Sequence, residues 1–169
     1  MSIVGFCGSL LSSIVLAGIA VGGTSVARAA PDACALLTVA QVSAAVGKPL
    51  TPPLSSVGGD GSGECMYGFG GLNQIGIELS QFSSAAEAQK KFSDDLQSAR
   101  GKNTASIKVT VESGVGDEAF SETGDFGGTL KAGTVEAVRG SRIVSIFAMS
   151  DPAVPRERLR ALMLTALSR

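Results

Sequence analysis

The sequence predicts an α+β domain: a largely antiparallel sheet of five or six strands with about three helices packed on it. Three observations carry this expectation. Three segments place apolar residues at helical spacing behind recognisable helix starts. Several short runs alternate apolar with polar residues, as half-buried strands do. Two pairs of those runs are joined by tight glycine-containing turns of the kind that antiparallel hairpins need. At 169 residues the chain has the length of one domain.

The first helix is announced by Leu37-Thr38-Val39-Ala40-Gln41-Val42. Thr38 is the N-cap, Gln41 closes a capping box, and Leu37 staples against Val42. Val39, Val42 and Val46 mark its buried side, Gly47 occupies the position after the last turn, and Pro49 prevents continuation. The stretch from Thr51 to Gly63 is rich in Pro, Gly and Ser and reads as loop. Its glycines do not satisfy a phosphate-binding pattern: Gly59, Gly61 and Gly63 are wrongly spaced, and a strand follows where a helix would be needed.

Cys65, Tyr67 and Phe69, then Ile75, Ile77 and Leu79, form two alternating runs about the Gly70-Gly71-Leu72-Asn73 turn, which is a hairpin. Ser84-Ala85-Ala86-Glu87 opens the clearest helix, with Ala85, Ala88, Phe92, Leu96 and Ala99 as its stripe. Lys90, Lys91, Asp94, Asp95 and Arg100 make a solvated opposite face. Ile107, Val109 and Val111 mark a half-exposed strand, and a strand is expected from Gly128 to Ala132. Runs from Thr134 to Arg139 and from Arg142 to Met149 flank Gly140-Ser141, a hairpin turn. The last of these is apolar on both sides, as a strand at the sheet centre should be. Pro155 opens a final helix with Leu159, Leu162, Met163, Ala166 and Leu167 as its buried stripe.

The first charge in the chain is Arg28. Before it, Ile14 to Val21 form an apolar core, and Ala27-Arg28-Ala29 fits the small-x-small rule for signal peptidase. Residues 1–29 therefore read as a signal peptide and 30–169 as one exported domain, periplasmic or secreted. The absence of Lys or Arg before the apolar core departs from the usual pattern, and Ile3 to Val26 is long enough to remain as a membrane anchor. Neither Cys7 nor Cys34 is preceded by a lipoprotein cleavage motif. Cys7 leaves with the leader, so Cys34 and Cys65 remain to pair in an oxidising compartment. Their bridge would close a loop of about 32 residues, worth about 3–4 kcal/mol in the chain-entropy picture. Redox-active pairs are usually Cys-x-x-Cys, so the bridge is structural.

The chain has no His, which removes Ser-His-Asp and Cys-His catalysis and His-based metal sites. No Lys has a Ser three residues before it. A net charge of −1 provides no footprint for nucleic acid. Asp117, Glu118, Glu122 and Asp125 form an acidic loop that reads either as a weak cation site or as a turn in which Asp117 caps backbone amides. Carboxylate pairs, Asp117 with Glu122 or Glu64 with Glu78, are candidates for glycoside hydrolysis. Arg139 and Arg142 flank a tight hairpin where they could grip an anion, and Arg156, Arg158 and Arg160 make a small basic helix face, whose alternative is plain solubility.

Cys34-Ala35-Leu36-Leu37-Thr38 before a short helix, Cys65-Met66-Tyr67, and Gly114-Val115-Gly116-Asp117-Glu118-Ala119 together resemble a layout of small exported bacterial proteins and lipoproteins classed as domains of unknown function. The resemblance implies bacterial export and an α+β fold, and it carries no catalytic residues. The function expected is an exported, non-enzymatic domain that binds an envelope protein or a small ligand, with no cofactor, no metal and no nucleic acid, and with membrane contact only through an uncleaved leader. The alternatives are a carboxylate-dependent hydrolase of envelope glycans and a membrane-tethered structural protein. An enzyme should show carboxylates converging in a pocket, and a binding module an apolar or Arg-lined groove without them.

Intact-mass measurement of the exported protein is expected to match residues 30–169, with a gain of about two daltons on reduction as one disulfide takes up two hydrogens. A full-length mass, or two free thiols, overturns export in this form.

Overall fold

The structure, a computed structural model, describes residues 31–58, 62–125 and 131–169. The expected leader lies outside these residues, as does most of the strand expected at Gly128–Ala132. The chain runs through a 3-10 turn (Ala33–Ala35), α1 (Val39–Val46), β1 (Leu54–Val57), β2 (Gly63–Gly68), β3 (Gln74–Gln81), α2 (Ala85–Gly101), β4 (Ile107–Glu112), β5 (Glu118–Asp125), β6 (Lys131–Arg139), β7 (Arg142–Ser150) and α3 (Arg156–Leu167). The α+β class is as expected. The strands form one antiparallel sheet in the order β1-β2-β3-β7-β6-β5-β4, seven strands rather than five or six.

Two strands were hidden by composition. β1 lies inside the Pro, Gly and Ser segment read as loop, and all four of its side chains are exposed, so burial leaves no pattern in it; its pairing with β2 makes it a strand. β5 occupies most of the segment read as an acidic loop. It is strand because it fills the space between β4 and β6, with Ala119, Phe120 and Ser121 buried while its carboxylates stay nearer the surface.

Helix starts behave as their caps require. Thr38 and Gln41 form the reciprocal capping box, and Gly47 ends α1 at φ +70°. Val42 is buried, but Val39 is 45% exposed, because the first residue of the helix points away from the sheet. In α2 the Ser84 hydroxyl accepts from the Glu87 amide, while Glu87 reaches one residue further back and accepts from the amide and hydroxyl of Ser83. Ala88, Phe92 and Ala99 are buried and Ala85, at the first position, is not.

The two faces of the sheet carry separate cores. On one, α1, α3 and the 3-10 turn cover Tyr67, Ile75, Ile77, Val135 and Ile146 together with Leu159 and Met163. On the other, α2 alone covers Phe120, Val138 and Ile143 through Ala88, Phe92 and Ala99. The rings of Phe92 and Phe120 lie 5.5 Å apart at 54°, a favourable tilted contact. Cys34 and Cys65 are bridged with Cα atoms 5.0 Å apart, fastening the segment before α1 to β2.

The turn between β4 and β5 is held against the β6–β7 hairpin. The Asp117 amide donates to the Val138 carbonyl at 2.8 Å, and its Oδ2 accepts from the Gly140 amide at 2.7 Å. Asp117 thus caps an amide 23 residues away rather than one in its own turn. Gly116, at φ +61°, makes this approach possible, since a Cβ there would lie 2.5 Å from the Val138 oxygen. Gly116→Ala is therefore expected to lower unfolding free energy by about 2 kcal/mol or more through φ strain and loss of this docking. Urea denaturation checks this, and an unchanged midpoint would refute it.

Candidate functional site

The arginines are distributed along α3 rather than gathered. Arg139 Nη1 donates to the Leu167 carbonyl at 2.7 Å, closing the C-terminal end of α3, where a cation also suits the helix dipole. Arg142 pairs across the hairpin with Arg139. At the other end of α3, Arg156 and Arg160 flank the largely buried Glu112 of β4 at 3.4 and 3.8 Å, and Arg160 also donates to the Ser113 carbonyl at 2.9 Å. A helix of this length spans about 18 Å. The two arginine pairs therefore sit at opposite ends of α3.

The acidic residues of the β4–β5 region also separate. Glu118 and Glu122 lie on the α2 face of β5, whereas Asp125 lies on the other face and pairs with Lys131. Asp117 is engaged at the hairpin. Among the described residues, no three carboxylates or cysteines are grouped so as to hold a metal ion.

Register makes the expected pair Glu64 and Glu78 direct cross-strand partners and sets them in a row with Ser145 and Glu136, which the sequence did not single out. Ser56, Glu64, Glu78, Ser145, Glu136 and Phe120 are consecutive cross-strand partners from β1 to β5, all on the α2 face. Glu64 accepts from Ser56 Oγ at 2.7 Å. Glu78, Ser145 and Glu136 instead line a cavity of about 150 Å³ beneath α2, closed from the helix side by Lys91 and Asp95. Lys91 and Asp95 bond to each other across one helical turn. Glu136 Oε1 is buried without a hydrogen-bond partner. Burial above all, then the charges of Asp95, Glu78 and Glu122, pushes the Glu136 carboxyl up to about 8 against the opposing pull of Lys91. It is therefore mostly protonated at neutral pH. For Lys91, desolvation is outweighed by its bond to Asp95 and the surrounding carboxylates, which hold its ammonium above the usual lysine range.

Glu136 was missed because its run alternates regularly and assigns it to the polar side. Its sequence signal lies elsewhere, in Lys91 and Asp95, which read as part of the solvated face of α2 but flank the buried Ala88 and Phe92 and line the cavity, as a helix lying over charged strand positions requires.

Beyond β3 the α2 face is uncovered. Gly76 leaves room for Phe147 to lie on bare backbone, its Cζ only 2.3 Å from where a Cβ would be, with Met66 Sδ beside it. A groove of about 350 Å³ continues from there, lined by Leu54, Met66, Leu72, Gln74 and Met149. Leu54 and Leu72 are each 74% exposed; Val57, on the opposite face of β1, is 65% exposed.

The Glu136 carboxyl makes a pH prediction. Its folded-state value lies above the ordinary carboxyl value, so its contribution is complete below about pH 4.5 and is lost as pH rises through about 8. Between those values only the unfolded chain releases the proton. Denaturation at pH 5 and pH 9 is expected to show the native chain losing on the order of a few kcal/mol more than Glu136→Gln. Parallel profiles would refute the assignment.

No protein-family model and no curated protein matches the chain. Its fold is similar to that of the extracellular domain of PknH from Mycobacterium tuberculosis, with a TM-score of 0.57 and 13% identity, over 83% of this chain and 96% of that one.

Proposed function

We propose that the chain is an exported, non-enzymatic domain that binds an envelope protein by pairing an extended segment of it with β1. One observation carries the reading: among the described residues β1 is an open sheet edge, its four residues carry no charge, and the apolar groove under Leu54 borders it. Natural edge strands are commonly blunted by Lys or another charge, as β4 is by Lys108 and Glu112. β1 has Leu54, Ser55, Ser56 and Val57 and offers unpaired backbone groups together with apolar anchors. Strand addition uses the first for affinity and the second for specificity. Methionines such as Met66 and Met149 adapt to varied apolar side chains. The leader in the sequence, the disulfide and a fold shared with an extracellular domain support export.

A hydrolase reading draws on Glu136, protonated beside Glu78 in one cavity. That cavity, at about 150 Å³, is below the several hundred Å³ of ordinary small-molecule sites, and a glycan chain needs more.

A photo-crosslinking residue at Ser55 of the exported protein is expected to capture one envelope protein, through an uncharged apolar segment. Leu54→Lys should abolish the adduct while moving Tm by no more than about 2 °C, since exposed substitutions change stability little. Adducts that survive Leu54→Lys, or none at all, would overturn the proposal.

A further inference from the structure

A further concavity lies where the end of α1, the end of β2 and the segment before α3 meet. It encloses about 220 Å³. Phe69, Val46, Pro152, Val154 and Pro155 supply the apolar part of its walls. Two cations, Lys48 and Arg158, stand at its margin, and no carboxylate lines it. Asp151 precedes Pro152 but is not part of the lining.

The two cations are placed by contacts that do not discharge them. Lys48 Nζ lies 5.8 Å from the centre of the Phe69 ring, a cation–π distance that leaves its three N–H groups for other acceptors. Arg158 Nη1 donates to the Ala45 carbonyl at 2.9 Å, tying α3 to α1, and a guanidinium has four further N–H donors. Neither forms an ion pair among the described residues, unlike Arg156 and Arg160, which are neutralised by Glu112.

We infer that the pocket between Lys48, Phe69 and Arg158 is a binding site for a carboxylate carried on a small apolar body. The carboxylate is held between ammonium and guanidinium at the rim, and the apolar body lies against Phe69 and the prolines. A space of this size suits a branched or aromatic monocarboxylic acid. It equally suits the C-terminal residue of a peptide, whose chemistry is the same. The site is independent of β1 and stands whether or not a partner docks there.

Titration of the ¹⁵N-labelled domain with 4-methylpentanoate at low salt tests it. Saturable shifts are expected at Ala45–Lys48, Phe69 and Ala153–Arg158, with about millimolar or tighter affinity, weakening with added salt. Lys48→Gln leaves every fold contact except the ring contact in place and should weaken binding about fivefold. Adding Arg158→Gln should weaken it by a further similar factor. The matched amide, 4-methylpentanamide, should not bind. A peptide ending in a free Leu carboxylate, compared with its C-terminal amide, distinguishes the two sources: tighter binding of the free acid peptide than of 4-methylpentanoate assigns the site to chain ends, and the reverse assigns it to small acids. Equal binding of inorganic phosphate, binding of the amide, indifference to Lys48→Gln, or shifts confined to other regions would each overturn the proposal.

Discussion

The pairing of β7 with β3 on one side and β6 on the other is the constraint on which the rest of the molecule depends. β7 is fourth of seven strands, and it joins a hairpin from early in the chain to one from late in it. Its side chains supply both cores: Val144, Ile146 and Ala148 face α1 and α3, while Ile143 faces α2. Because successive side chains alternate between faces, slipping this strand by one residue would exchange the contents of both cores at once. That penalty fixes the register, and the register in turn sets Glu78, Ser145 and Glu136 in one row.

The two faces then diverge. Three elements cover one of them, and a single helix covers the other only as far as β3. The acidic cavity lies where α2 ends its cover, and the Leu54–Met66 groove where cover is lacking altogether. Both arise from the same deficit: seven strands present more surface than one 17-residue helix can shield. The strand nearest the uncovered end is also the one without charge. A domain whose described residues leave so open an edge is predisposed to complete itself with another chain.

The legible parts of the sequence were those with local chemistry. The capping box at Thr38, the N-cap at Ser84, the αL glycine at 47 and the two-residue hairpin at Gly140-Ser141 depend on neighbours a few positions away, and each was readable from residue order. The cysteine pair was readable by elimination once the leader was set aside. β1 and β5 were not, because strand formation there is decided by partners distant in sequence: neither Leu-Ser-Ser-Val nor a Glu-rich run has a strong preference of its own. The arginines showed the converse problem. Their spacing on a helix was evident, but whether each found a carbonyl, a carboxylate or nothing depended on β4, α1 and β6. Glu136 was invisible for the same reason, since a polar position in an alternating strand becomes buried only when a helix crosses it.

Under the export proposed above, the Cys34–Cys65 bridge takes on a further meaning. Thiols stay reduced in the cytosol and oxidise outside it. On that proposal, the bond that pins the segment before α1 to β2 would be lacking while the chain awaits passage, and the loop it closes would remain open. On the order of 3 kcal/mol of stability is then withheld until the far side of the membrane is reached. Translocation favours chains that are not yet firmly folded, and mature function favours the opposite. A single covalent link, made only after crossing, lets one sequence satisfy both demands in succession.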